Sequence, residues 1–168
     1  MNRINVIILF AIINLAFSNK IIIPMDDTQN DHIKAYGIAF WSLENKYEVD
    51  WLLNYKGGSF LLKNNQIIEN ECIIRGISYY KISSSELNNI YQIIEENNME
   101  IVLLEKIPKI AVYSPPDKQP WDDAVTLALT YAEIKYDIIF DDEIIQGDLK
   151  KYDWLHLHHE DFTGQYGK

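Results

Sequence analysis

A single cysteine, Cys72, is the first limit the chain sets. With no second thiol there can be no intramolecular disulfide, so stability has to come from a packed core. Positive charge is also scarce: 15 Lys and Arg stand against 25 Asp and Glu, for a net charge of −10. Such an acidic chain repels phosphate backbones and anionic lipid, which argues against nucleic acid and membrane surfaces as partners. After the first 18 residues no apolar run is long enough to span a bilayer. Glycine is sparse, and no repeat or low-complexity tract is present. The pair Gly57-Gly58 lacks the lysine and helix start of a P-loop and the third glycine of a dinucleotide fingerprint. It reads as a turn, with Gly57 and Gly58 kept as ligand-binding candidates. Cys72 sits in a helical stretch with no glycine elbow, so a buried structural thiol is a better reading than a nucleophile.

The N-terminus carries a targeting pattern. Met1 to Asn5 holds one positive charge, Val6 to Leu15 is almost wholly apolar, and Ala16 and Ser18 place small residues at −3 and −1 of a cut. That is the pattern of a secretory signal peptide over residues 1–18. Its removal takes away Arg3 and no acid, so the exported chain is more acidic still. The expected destination is periplasmic or extracellular, with no membrane association after cleavage. The 48% of apolar residues suffice for a core.

Taken in order, Ile21–Pro24 predicts a first strand, and Thr28 with Asp31, or Asn30, can cap a helix running to Asn45. Tyr47–Asn54 and Ser59–Leu62 read as extended, Gln66–Ile74 and Ser84–Asn97 as helices, and Ser78–Ile82 and Glu100–Leu104 as strands. Pro108 marks a seam between an N-terminal α/β region, 19–107, and a second α/β region, 108–168. The second opens with a strand at Lys109–Tyr113. A helix follows, with Pro120 suited to its first position and Asp122 and Asp123 complementing its dipole. From Ala124 to Ile134 that helix is apolar almost all round, as a well-covered helix would be. Strands at Tyr136–Phe140 and Tyr152–Leu157 flank a short helix stopped by Gly147. Strands alternating with helices predict an α/β fold with a largely parallel sheet. Three strands after Pro108 make a small sheet, and the reading is of a second domain incomplete at its C-terminus.

In open parallel sheets ligands bind beyond the carboxyl ends of the strands. Here those ends carry Asp26 and Asp27, Asn54–Gly58, Ser114–Lys118, Asp141 and Asp142, and His158–Asp161, which a parallel sheet would gather on one edge. The densest chemistry is His156-Leu-His158-His159-Glu160-Asp161. Residues i and i+2 of a strand share a face, so His156 and His158 are candidate ligands for a divalent metal such as zinc. A zinc site needs three or four ligands on one side; His159 and Asp161 would point to the opposite face, and the remaining histidine, His32, is far away in sequence. The plainer alternative is a strand end whose histidines bond to backbone or to neighbouring acids. For catalysis the candidates are His158, His159, Glu160 and Asp161, a histidine and carboxylate working as general acid and base. Asp117, Trp121 and Asp122 are candidates for holding a small polar ligand, against the alternative of a helix start with the Trp packed beneath it.

Three segments carry a resemblance: Trp51-Leu-Leu-Asn-Tyr-Lys-Gly-Gly-Ser-Phe-Leu-Leu62, Lys106-Ile-Pro-Lys-Ile-Ala-Val-Tyr-Ser-Pro115, and Tyr152 through Gly167. With Gln119-Pro-Trp-Asp-Asp-Ala-Val-Thr126, they make the chain similar to exported Bacteroidetes-type proteins commonly labelled asparagine synthetase B. The resemblance spans the exported chain and implies a fold like class I glutamine amidotransferases, which is flavodoxin-like. It also implies glutamine-dependent amide transfer, but the residues for that chemistry are not in this sequence. Position 2 is Asn2, where an asparagine synthetase has its nucleophilic cysteine, and no Gly-x-Cys-x-Gly elbow is present. No catalytic residue is therefore transferred. The expectation is a ligand-binding or non-catalytic protein meeting a small polar ligand or an envelope partner. A hydrolase for an amide or glycan, using His156–Asp161, comes second and amide transfer third.

Overall fold

A computed structural model of the chain describes residues 20–115 and 123–157. The expected signal peptide and Asp117, Trp121, Asp122, His158, His159, Glu160 and Asp161 lie outside the described residues. The elements run β1 (Lys20–Ile23), α1 (His32–Glu44), β2 (Val49–Leu53), β3 (Ser59–Lys63), α2 (Gln66–Arg75), β4 (Tyr80–Ile82), α3 (Ser84–Glu96) and β5 (Glu100–Leu104). They continue with β6 (Ile110–Tyr113), α4 (Ala124–Tyr131), β7 (Asp137–Ile139), α5 (Asp141–Ile145) and β8 (Trp154–Leu157). This is a mixed α/β fold with two sheets.

The first sheet has five strands in the order β4-β1-β3-β2-β5, and every pairing in it is antiparallel. That corrects the expectation of a largely parallel sheet. The reason is local: Tyr55–Gly58 folds β2 straight back onto β3, and a hairpin can only be antiparallel. Gly57 has φ 78°, and a Cβ there would stand 2.2 Å from the Met25 carbonyl oxygen, so the turn demands glycine. Trp51 Nε1 locks the same turn by donating to the Gly58 carbonyl at 2.9 Å.

Alternation sorts the strand residues onto two faces. Ile21, Ile23, Val49, Phe60 and Leu62 meet Ala35 and Ile38 of α1 and Ile68 and Cys72 of α2. Ile22, Leu52, Leu61 and Ile82 meet Ile90 and Ile94 of α3. Full burial of each such side chain is worth about 1.5–3 kcal/mol before conformational entropy is counted. The helices start where side chains can replace missing backbone partners. Asp31, rather than Thr28 or Asn30, caps α1 by accepting from the Lys34 amide at 2.9 Å. At α3, Ser83 and Glu86 form a capping box.

The second sheet is parallel, in the order β7-β6-β8, with β6 in the middle. α4 connects β6 to β7 and also packs on α1 of the first region. A Cβ on Gly37 of α1 would lie 2.0 Å from the Ala132 carbonyl oxygen at the end of α4. The buried Arg75 donates to the same carbonyl through Nη1 at 3.1 Å and holds Glu133 at 3.0 Å and Glu71 at 2.8 Å. Tyr131 donates to Asp31, and Lys135 pairs with Glu44, at the two ends of α1. α4 is not covered all round as its composition predicted: Leu127 and Tyr131 are about half exposed. The loop ends predicted to share one edge are also divided, because Asp26, Asp27 and Asn54–Gly58 belong to the antiparallel sheet.

Candidate functional site

Any site on the parallel sheet begins with what β6 and β8 deliver to their carboxyl ends. Parallel register sets His156 beside Val112 and Leu157 beside Tyr113. Partners in register share a face, so His156 points to the same side as Val112 and, two residues back, Trp154. α4 occupies that side, and its N-cap is Asp123. His156 Nε2 lies 3.0 Å from Asp123 Oδ1. In sequence Asp123 complements the helix dipole; in the structure it is the N-cap and the partner of His156.

The same Asp123 oxygen accepts from the amides of Val125 at 2.7 Å and Thr126 at 3.1 Å. The Thr126 hydroxyl, fully buried, donates to the Asp123 carbonyl at 3.0 Å. Burial pushes the Asp123 carboxyl pKa upward. The Thr126 amide, the His156 imidazole and the Val125 amide outweigh that, and the net pKa lies below the ordinary 3.8. Asp123 is therefore an anion at neutral pH, and the Nε2 facing it carries the proton and donates. The second ring nitrogen, Nδ1, is then an acceptor when the imidazole is neutral.

The same edge of the sheet carries further polar atoms, with Tyr113 on the face opposite His156. Ser114, nearly buried, follows β6 and donates its amide to the Ile139 carbonyl at 3.0 Å. Tyr113 donates to Asp141 Oδ1 at 2.7 Å, and its ring packs on Phe140 with centroids 5.1 Å apart. An apolar groove of about 340 Å³ runs along α4 from Ala124 to Ala132, walled by Ile33 and Tyr36 of α1 and by Trp154. One of its ends adjoins Asp123, next to Ala124 in the chain.

The other candidates fall elsewhere or stand alone. Gly57 and Gly58 form the β2–β3 turn of the antiparallel sheet, tight against Met25 and Trp51, whereas His156 lies in β8 of the parallel sheet and Asp123 caps α4 beside it. His156 was expected as a metal ligand. Among the described residues, no group of three or more His, Cys, Asp and Glu side chains is arranged to hold a metal ion. His32 bonds to the Asp26 carbonyl at 3.1 Å, in the first region. Cys72 is buried in α2, and desolvation pushes its thiol up to about 12, so it is no nucleophile at neutral pH. No helix among the described residues is long and apolar enough to cross a membrane. The chain matches no protein-family profile, no curated protein and no solved structure.

An aspartate fixing an imidazole can do two things. It can hold a polar ligand on Nδ1 with a set direction, or it can prepare that nitrogen to take a proton from a reacting group.

Proposed function

We propose that the chain is an exported protein that binds a small polar ligand at the carboxyl edge of its parallel sheet, with His156 as the contact and Asp123 as the residue that orients it. The observation that carries this reading is the 3.0 Å pair between the buried Asp123 and the more open His156. Its place supports the reading as well. Taken from its own first strand, the β7-β6-β8 order is 2-1-3, the start of the flavodoxin-like order 2-1-3-4-5. In that order the switch point lies between strands 1 and 3, here β6 and β8, and ligands gather outside it. The same topology is compatible with the resemblance to class I amidotransferases and to the exported family labelled asparagine synthetase B. Asp117 and His158–Asp161 follow these strands in sequence and Trp121 and Asp122 directly precede Asp123; all are proposed as further ligand contacts, His158 together with His156 as ligands should the site take zinc.

The second reading is a hydrolase for an amide or glycan, with a histidine from His156–His159 as base and Glu160 or Asp161 beside it. The Asp123–His156 geometry favours it to the extent that it is a prepared base. Glutamine-dependent amide transfer comes last, because the sequence supplies no nucleophile elbow.

Calorimetric titration of the intact protein with glutamine and with N-acetylglucosamine tests the proposal. Saturable binding that weakens at least tenfold in a folded His156→Gln variant is the expected result. Absence of binding by both probes, or binding indifferent to His156→Gln, contradicts it. Release of ammonia or cleavage of an N-acetylglucosamine oligomer, lost in the same variant, would move the assignment to the hydrolase.

A further inference from the structure

The two edges of the antiparallel sheet are built differently. β4 is three residues long, and its central Lys81 is tied to Glu69 at 2.8 Å. Shortness and lysine are the usual guards against edge-to-edge pairing. β5 has neither. Its five residues, Glu100-Ile-Val-Leu-Leu104, contain no proline, glycine or lysine, and only Glu100 is charged. β5 pairs with β2 on one side, and among the described residues no strand pairs with its other side. Ile101 and Leu103 stay 40% and 49% exposed. Register places Ile101 beside Leu52 and Leu103 beside Asp50, so both lie on the face that α3 covers only farther in.

We propose that β5 is a pairing edge through which two copies of this chain join their antiparallel sheets about a two-fold axis at Val102. Antiparallel pairing of β5 with itself in that register sets Val102 against Val102 and Ile101 against Leu103 of the second copy. Each exposed residue of one copy thereby covers one of the other, and the interface is self-complementary, as two-fold symmetry requires. Charge agrees with this register. Glu100 faces Leu104, Glu105 faces Met99 and Lys106 faces Asn98, so no two acids meet although the chain as a whole is acidic. The two α3 helices then stand on the same side, flanking a floor of two Ile101 and two Leu103 residues. A second copy is the favoured occupant because the edge complements itself in length, polarity and face.

Sedimentation equilibrium of the full chain tests this, with Val102→Pro and the double variant Ile101→Lys/Leu103→Lys beside it. The expected result is a species of twice the chain mass that both variants convert to monomer. Circular dichroism unchanged from the parent guards against simple unfolding, and the lysine pair, lying on the surface, serves if the proline variant fails to fold. A Val102→Cys variant should oxidise to a disulfide-linked dimer, since facing strand residues bring Cα atoms to about 4.5–5.5 Å, while the buried Cys72 stays reduced. A monomer at all concentrations up to about 100 μM, where an interface of standard size would be populated, overturns the proposal. So does a dimer that both edge variants leave intact and Val102→Cys does not cross-link.

Discussion

The antiparallel and parallel regions follow different rules of burial. The first sheet has helices on both faces, and Ile21, Ile23, Leu52, Leu61 and Leu62 are inaccessible to solvent. The second has a buried centre in Ile110, Ala111 and Val112, joined by Ile139, but flanking strands that are more open: Ile138, Trp154 and Leu157 are about half exposed. A parallel sheet is normally covered on both faces. One region therefore supplies stability, while the other, held to it through α1 and α4, carries the polar pair. Binding residues are commonly set on a rigid scaffold in this way, at its less covered margin.

The largest difference between the two regions is expected in the core. Leu61→Ala should cost about 2–5 kcal/mol of unfolding free energy, whereas Ile138→Ala, half in solvent, should cost under about 1 kcal/mol. Urea denaturation of both variants checks this, and equal losses would mean that the two regions are equally packed. The contact between regions comes next. Gly37→Ala drives a methyl into the Ala132 carbonyl and should cost about 1–3 kcal/mol. Hydrogen exchange should locate the effect: amides of α4 lose protection, and those of β1 and β3 keep theirs.

A smaller effect, about 1 kcal/mol, is expected for Asp123→Asn, since asparagine remains a good cap but no longer carries the charge facing His156. The pH dependence sharpens it. The folded pKa of Asp123 lies below 3.8, so its contribution is complete well above that value and is lost as the pH falls below it. The gap between parent and Asp123→Asn urea midpoints should therefore close on acidification. The smallest effect is chemical. Cys72, buried and with a thiol pushed up to about 12, should resist a disulfide reagent at pH 8 in the native protein and react on unfolding.

Much of this architecture is legible in the residues themselves. Glu100–Leu104 is a strand with the boundaries its apolar run predicts, and the serines before Glu86 give the capping box of α3. Strand direction is a different matter. Alternating strands and helices suit a parallel sheet, yet the Tyr55–Gly58 turn reverses the chain, and a turn that tight joins antiparallel strands. His156 stands out in sequence because histidines cluster around it. Asp123 does not, because its partner is 33 residues away and only the crossover of α4 brings them together. The signal that could have found it was modest: an aspartate directly before an apolar helical run is a cap.

Asp123 is proposed to orient His156 so that Nδ1 is offered to a ligand. Long-range proton–nitrogen correlation spectra of the histidine rings, recorded with the imidazole neutral, test it most directly. His156 should carry its proton on Nε2 with Nδ1 bare, and this tautomer should lose its preference in Asp123→Asn. A His156 protonated on Nδ1, or a spectrum that Asp123→Asn leaves unchanged, would contradict it.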